Sequence, residues 1–243
     1  MSQHTQGLTL KKGLKDGLPI CLGYISVSFA FGMMTSQNGL PIWAALLISM
    51  TNLTSAGQVA GTELIISGGL YVEIAVTTFV INLRYMLMSL SLSQKVDESV
   101  RGWRRWFLSF GITDEIFAVA MQQKGLINTS YFTGLLLTPY FGWAGGTLLG
   151  ASAAGLLPLS LRNALGIAIY GMFIAIVIPA AKKAKPVAIV AAIAVAISCL
   201  FRFTPGLNRL SAGWVIIICA VIASAFGAAR YPTEAPEEEE APA

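Results

Sequence analysis

Apolar runs separated by short polar connections dominate the chain. The first run covers residues 18–35; Asp16 can cap it, and Pro19 suits a first-turn position. The second, 41–68, is interrupted by Thr51, Asn52, Thr54, Ser55, Gly57 and Gln58. The third covers 71–92 and is followed by a charged loop, 93–105. A shorter run, 106–122, is broken at Gly111, Thr113, Asp114 and Glu115, and four more follow at 131–153, 163–181, 186–203 and 212–229. About 18 consecutive apolar residues suffice to cross a bilayer as a helix. The pattern predicts an all-α integral membrane protein of about six spanning helices plus two broken or re-entrant helical segments. Non-helical backbone at membrane depth is tolerated only where protein buries it or where it lines a wet cavity. Both interrupted segments therefore belong in the middle of the fold, as re-entrant pieces or as kinked helices.

Composition agrees: 55% of residues are hydrophobic and only 12% charged, against about a quarter charged in soluble domains. The positive-inside rule orients the chain. If both interrupted segments return to the side they left, Lys11, Lys12, Lys15, Lys95, Arg101, Arg104, Arg105, Lys124, Lys182, Lys183, Lys185 and Arg230 fall inside, while Arg162, Arg202 and Arg209 fall outside. Both termini are then cytoplasmic. This predicts a cytoplasmic segment 1–17, a single transmembrane transport domain 18–229 and an acidic, disordered cytoplasmic tail 230–243. The polar first 17 residues and the lack of a small-residue cleavage site argue against a cleaved signal. The net charge of +4 is spread over loops and forms no nucleic-acid-binding stripe. Cys21, Cys199 and Cys219 lie inside apolar runs and read as small core residues, not as disulfides or metal ligands.

Ionisable groups in a hydrocarbon layer cost about 2.5–3.5 kcal/mol each on insertion scales and need a reason to be there. Five qualify: Glu63, Glu73, Arg84, Asp114 and Glu115. In the third run, Thr78, Asn82, Tyr85 and Ser89 share one helical face, and Glu73, Thr77 and Arg84 another. A helix polar on two faces is expected to run through the interior between two partners. Arg84 lies about 16 Å along the axis from Glu73, too far for a direct pair, so it needs a carboxylate from elsewhere, a substrate, lipid or water. Thr113 is placed to cap a helix whose first turn carries Asp114 and Glu115. Those acids are either simple capping residues or groups that pair with Arg84, bind a proton or meet an ammonium. Asn52, Thr54, Ser55 and Gln58 offer uncharged donors and acceptors suited to a zwitterion, or equally to helix packing. Gly142, Gly146 and Gly150 recur every four residues and predict close helix contact; Pro139 is expected to kink that helix. Trp43, Trp103, Trp106 and Trp214 lie near run ends and read as interfacial anchors.

Several segments together resemble the AzlC family: Lys15-Asp16-Gly17-Leu18-Pro19-Ile20, Phe29-Ala30-Phe31-Gly32, the small-residue stretch ending in Gln58, Asn82-Leu83-Arg84, Ser89-Leu90-Ser91-Leu92 and Gly111-Ile112-Thr113-Asp114-Glu115-Ile116-Phe117-Ala118. Their order and spacing match over roughly residues 10–122. The resemblance implies the large subunit of an exporter of branched-chain or other hydrophobic L-amino acids in the bacterial cytoplasmic membrane. It also implies a small membrane partner of the AzlD type, and functional roles for Gln58, Asn82, Arg84, Asp114 and Glu115. Tyr85 stands where many relatives resemble Asn-Leu-Arg-His, and His4 is the only histidine, so a histidine relay is excluded.

These readings converge on a secondary transporter with no cofactor, metal or catalytic residue. The expected substrate and ion pathway comprises Asn52, Thr54, Gln58, Thr78, Asn82, Arg84, Tyr85, Asp114 and Glu115. The broken-helix ends would hold a zwitterion near the midplane. No nucleotide motif supports ATP coupling, which leaves the proton motive force. An intramembrane serine or zinc protease needs histidine or cysteine partners, and no apolar run contains a histidine. An aspartyl protease needs two facing aspartates, and Asp114 stands alone. A channel-like or scaffold subunit for a different small solute is the alternative.

Overall fold

The computed structural model describes residues 8–158, 160, 171, 174 and 177–231. Contacts divide the chain into two compact units, Met1–Met172 and Phe173–Ala243. The expected run 163–181 lies mostly outside the described residues, as do most of the acidic tail and His4. Four described helices are long and apolar enough to cross a membrane: α1 (Leu10–Gln37), α4 (Tyr71–Ser93), α8 (Lys185–Phe203) and α9 (Ala212–Arg230). The first unit adds α2 (Ile42–Thr51), α3 (Ser55–Ile66), α5 (Trp103–Phe110), α6 (Asp114–Gln122) and α7 (Thr129–Ala153). Among the described residues only one isolated bridge, Val96 with Ile127, departs from helix and loop.

Helix α1 starts two turns earlier than the apolar run suggests. Its N-cap is Thr9, whose hydroxyl accepts from the Lys12 backbone N–H at 3.2 Å. Asp16 therefore does not cap it, and Pro19 lies in its interior. The physical reason is that the lysines of the first two turns keep their charges at the rim while the backbone is already helical. Asp16 instead accepts from Lys12 Nζ at 2.8 Å and from the Tyr131 hydroxyl at 2.9 Å.

The core is the α1–α7 pair. Gly13 faces Tyr131 and Leu135, Gly17 faces Pro139, Cys21 faces Gly142, Phe29 faces Gly150, and Gly32 faces Thr147 and Ala151. Both sets of numbers rise together, so the helices run parallel, backbone against backbone. Helix α7 continues through Pro139, which is fully buried against Gly17.

The same contacts fix the path of both interrupted segments. Helix α4 runs antiparallel to α7: Ser89 and Leu92 share a cleft with Phe132 near the start of α7. Helix α3 runs antiparallel to α4, with Gly57 against Asn82, Gly61 against Thr78 and Gly69 near Glu73. Helix α2 leaves the Gln37 end of α1 and reaches the middle of α7, where Ser49 meets Thr147 at 2.7 Å and the Tyr140 hydroxyl donates to Met50 O at 3.1 Å. Helix α3 then returns to the level at which α4 begins. The segment is a re-entrant hairpin.

The second hairpin mirrors this from the opposite end. The loop after α4 pairs with the start of α7 through Asp97 N to Ile127 O at 2.9 Å and Ile127 N to Lys95 O at 2.8 Å. Helix α5 rises until Gly111 abuts Leu136 and Phe110 meets Tyr140. Helix α6 then descends, so that Gln123 Oε1 accepts from Lys12 Nζ at 2.6 Å and Met121 O accepts from Lys95 Nζ. Each half-helix has 8–12 residues, about 12–18 Å, roughly half of a ~30 Å hydrocarbon layer.

In the second unit α8 and α9 form an antiparallel hairpin joined through a 3₁₀ turn, Leu207–Arg209, with Gly227 against Val190.

Two outcomes follow. With the native cysteines replaced, Asn38→Cys and Ser67→Cys should react with a membrane-impermeant maleimide from one side, and Lys124→Cys from the other. A Cβ at Gly146 would overlap Ser28 Oγ and lie 2.6 Å from Ile25 O, whereas one at Gly145 meets nothing within 4 Å. Gly146→Ala should therefore cost about 1–3 kcal/mol, read as a lower melting temperature in detergent, while Gly145→Ala should melt like the wild type.

Candidate functional site

Each hairpin tip leaves backbone groups without helical partners near the middle of the fold. The first tip is Asn52-Leu53-Thr54. Asn52 ends α2, and its Oδ1 accepts from the Thr54 hydroxyl at 2.7 Å. Helix α3 then begins with Ser55 at φ +29°, a strained value for a residue with a side chain. No side chain caps α3, and no acid lies in its first turn. The second tip, Gly111-Ile112-Thr113, is different. Thr113 accepts from the Ile116 N–H at 3.3 Å, and Asp114 and Glu115 occupy the first turn of α6. One half-helix thus begins with a positive dipole end that has neither a side-chain cap nor an acid in its first turn, and the other with a capped end carrying two carboxylates.

Helix α4 lies between the two tips: Thr78 and Asn82 address the first, and Arg84, with Tyr85 turned toward it from the face of Asn82, the second. On one face the Asn82 amide rests on Gly57, where a Cβ would lie 2.8 Å from Oδ1, and Thr78 rests on Gly61. On the other, Arg84 reaches Asp114 at 2.9 Å. Its guanidinium also donates to the Tyr85 hydroxyl at 3.2 Å and sits 5.0 Å from that ring's centroid. The carboxylate that Arg84 needs is therefore Asp114. Asn82 Oδ1 and Arg84 Nε are buried without a hydrogen-bond partner among the described residues. The third face of α4 is apolar and uncovered: Val72, Phe79, Leu83, Met86 and Leu90 are all exposed. The helix is thus flanked by two partners but not enclosed, since two half-helices cannot surround a full-length one.

Two expected residues point elsewhere. Glu115 turns away from Asp114 and accepts from the Tyr24 hydroxyl at 2.7 Å. That phenol also lies 2.7 Å from Thr113 Oγ1. Gln58 is 1% exposed; its Nε2 donates to Ser49 Oγ at 2.7 Å, and its Oε1 accepts from Trp143 Nε1 at 3.0 Å. Trp143 stacks edge-on against Tyr24 with centroids 5.0 Å apart. A continuous buried chain, Thr147, Ser49, Gln58, Trp143, Tyr24, Thr113, thus links the two tips across α1 and α7. Ser49, Tyr24, Trp143 and Thr147 were not among the expected residues. The signal was there for the aromatics: a Tyr or Trp in mid-run, away from the interfaces, needs a partner for its O–H or N–H. Glu73 is buried and Glu63 exposed, both outside this cluster. No group of three metal-ligating side chains occurs among the described residues.

Trp143→Phe keeps an aromatic side chain but removes the indole N–H and leaves Gln58 Oε1 buried without its donor. It should cost about 1–3 kcal/mol in thermal unfolding, whereas Tyr140→Phe, which removes an exposed hydrogen bond to Met50 O, should cost less.

Known proteins bear on this geometry. The AzlC protein family profile matches residues 19–157, a stretch that contains both hairpins, α4 and most of the α1–α7 pair. The inner membrane protein YgaZ of Escherichia coli (strain K12) is 26% identical over 203 residues, covering 81% of this chain and 83% of that protein. An uncharacterized membrane protein of Archaeoglobus fulgidus is 32% identical over 181 residues, covering 74% and 79%. One of Helicobacter pylori (strain J99) is 26% identical over 147 residues, covering 58% and 64%. No solved structure matches. With the family profile spanning more than half of the chain, the protein belongs to the AzlC family of membrane proteins.

Proposed function

We propose that this protein is the large subunit of a secondary exporter of branched-chain or other hydrophobic L-amino acids. It works in the bacterial cytoplasmic membrane, with both termini cytoplasmic, is driven by the proton motive force, and acts with a small membrane subunit of the AzlD type. The observation that carries this reading is the pair of unlike half-helix tips on either side of α4. The uncapped α3 end, with Asn82 beside it, suits a carboxylate. The acidic α6 end, with Asp114 already held by a cation, suits an ammonium or a proton. An ammonium or a proton arriving at Asp114 competes with Arg84 for the same carboxylate, which gives substrate or proton a direct means of loosening the link between α4 and α6.

The test is efflux of labelled valine, leucine and isoleucine from cells expressing the chain with and without its small partner. Efflux should require the partner and collapse with the proton gradient. Asp114→Asn should abolish gradient-driven efflux while the protein remains in the membrane at wild-type levels. Wild-type rates from that variant would reject Asp114 as a coupling group.

A further inference from the structure

Helix α5 is held to its own protein by a narrow seam. Leu108 is its only buried residue, and Gly111 just beyond it abuts Leu136. Trp103, Trp106, Phe107 and Phe110 are spaced three and four apart and share the side opposite Leu108. That side faces outward: Trp103 is 74% exposed and Trp106 85%, with Phe107 and Phe110 also exposed. A helix at the surface of a water-soluble domain turns its apolar stripe toward the core. Helix α5 turns it away from the protein.

Cations mark one end of this aromatic strip. Thr129 N donates to Ser99 Oγ at 2.9 Å and Thr129 Oγ1 donates to Ser99 O at 2.8 Å, which pins the loop before α5 to the start of α7. Arg104 and Arg105, both exposed, therefore sit at that rim in the first turn of α5. Other cations near it are already engaged: Lys12 by Asp16 and Gln123, Lys95 by Met121 O, and Arg101 by Glu98. Arg104 and Arg105 take part in none of the ion pairs formed among the described residues. Arg104 lies 6.0 Å from the centroid of the Trp103 ring.

Length and charge together select the occupant. The 8 residues of α5 span about 12 Å, close to the ~15 Å of hydrocarbon in one leaflet. A lipid of that leaflet brings its headgroup to the level of Arg104 and Arg105 and its chains to the level of Trp106 and Phe107. A headgroup of net negative charge neutralises the two arginines, whose planar forks match a phosphate. A protein helix on the same side would have to carry acids at that depth as well as an apolar face.

We propose that the outer side of α5 is a binding surface for an anionic phospholipid, with the headgroup phosphate on Arg104 and Arg105 and an acyl chain along Trp106 and Phe107. The lipid forms the outer wall of the second hairpin and steadies the tip that presents Asp114. The proposal is independent of the substrate and of the coupling ion.

Thermal unfolding of the purified full chain in a neutral detergent provides the test, with dioleoylphosphatidylglycerol or dioleoylphosphatidylcholine added in increasing amounts. Phosphatidylglycerol should raise the melting temperature by several degrees, and phosphatidylcholine by much less. The double variant Arg104→Gln, Arg105→Gln should melt like the wild type without lipid, because both side chains are exposed. It should need about thirty-fold more phosphatidylglycerol for the same rise, as two lost cations imply. Arg104→Lys with Arg105→Lys should keep most of the response, and Trp106→Ala should lose part of it. Arg202→Gln with Arg209→Gln, an equal change of charge in the α8–α9 hairpin, should leave it intact. An equal rise with both lipids, an unchanged phosphatidylglycerol response in the Arg104→Gln, Arg105→Gln protein, or the same rise with inorganic phosphate alone overturns the proposal. So does a rise that accompanies dimerisation in light scattering, which would assign the surface to a second copy of the chain.

Discussion

The rest of the first unit depends on the contact between α1 and α7. Glycines on both helices let two backbones meet over most of their length, and a side chain at Gly13, Gly32, Gly134 or Gly150 would have to occupy space held by the opposite backbone. Close approach of this kind gains dispersion and interhelical contact where lipid offers no hydrophobic driving force. Its geometric consequence is the parallel course of the pair. Two parallel helices must have an odd number of full-length passes between them. Helix α4 supplies one, so the two interrupted segments together must supply none or two. Half-helices of 8–12 residues docked against the pair, each returning to the end it left, supply none.

The hairpin tips then meet the problem of unpaired backbone in the middle of a membrane protein. The chain solves it differently at the two tips. Thr113 closes the α6 end locally, and Tyr24 on α1 anchors the cap. The α3 end lacks a cap and relies on neighbours: the Asn52–Thr54 contact, the Asn82 amide over Gly57, and the Gln58 chain one turn in. Glycine at 57 is what admits Asn82 so close to the helix start. The two tips are therefore electrically unlike, although both belong to short hairpins of similar length.

Much of this was legible in the sequence. The interruptions at Asn52 and Gly111 marked both tips because polar and small residues stand out inside apolar runs. The spacing of residues 78, 82, 85 and 84 gave the two faces of α4, and Thr113 with two following acids gave the start of α6. What periodicity alone did not supply was the partner on each face. That Arg84 pairs with Asp114 depends on a fold that brings residues 30 apart in the chain to one level. Gln58 looked like a pathway residue for the same reasons as Asn52, yet it is spent on Ser49 and Trp143. Only packing decides whether an amide faces a cavity or a neighbour. The start of α1 was misplaced because hydropathy marks where the apolar face begins, whereas the helix begins where Thr9 can cap it.

The ion pair at the centre of the site has a property that separates function from stability. The side chains of Arg84 and Asp114 are 41% and 38% exposed, so the pair is open on one side. A pair in that setting is screened and adds little to folding, whereas a fully enclosed one would carry the desolvation cost of both charges and resist opening. Charged groups at membrane depth persist where they line a wet cavity or pair with one another, and the Arg84–Asp114 contact halfway along α4 meets the second condition. Its opening need not disturb the α1–α7 core, which is held by backbone contact and by the buried chain from Thr147 to Thr113. The fold therefore keeps its rigid element and its exchangeable element in different places, the first between glycines and the second between two charges on half-exposed side chains. A transport site requires that separation: the groups that take a substrate or proton must be able to part without loosening the frame that aligns them.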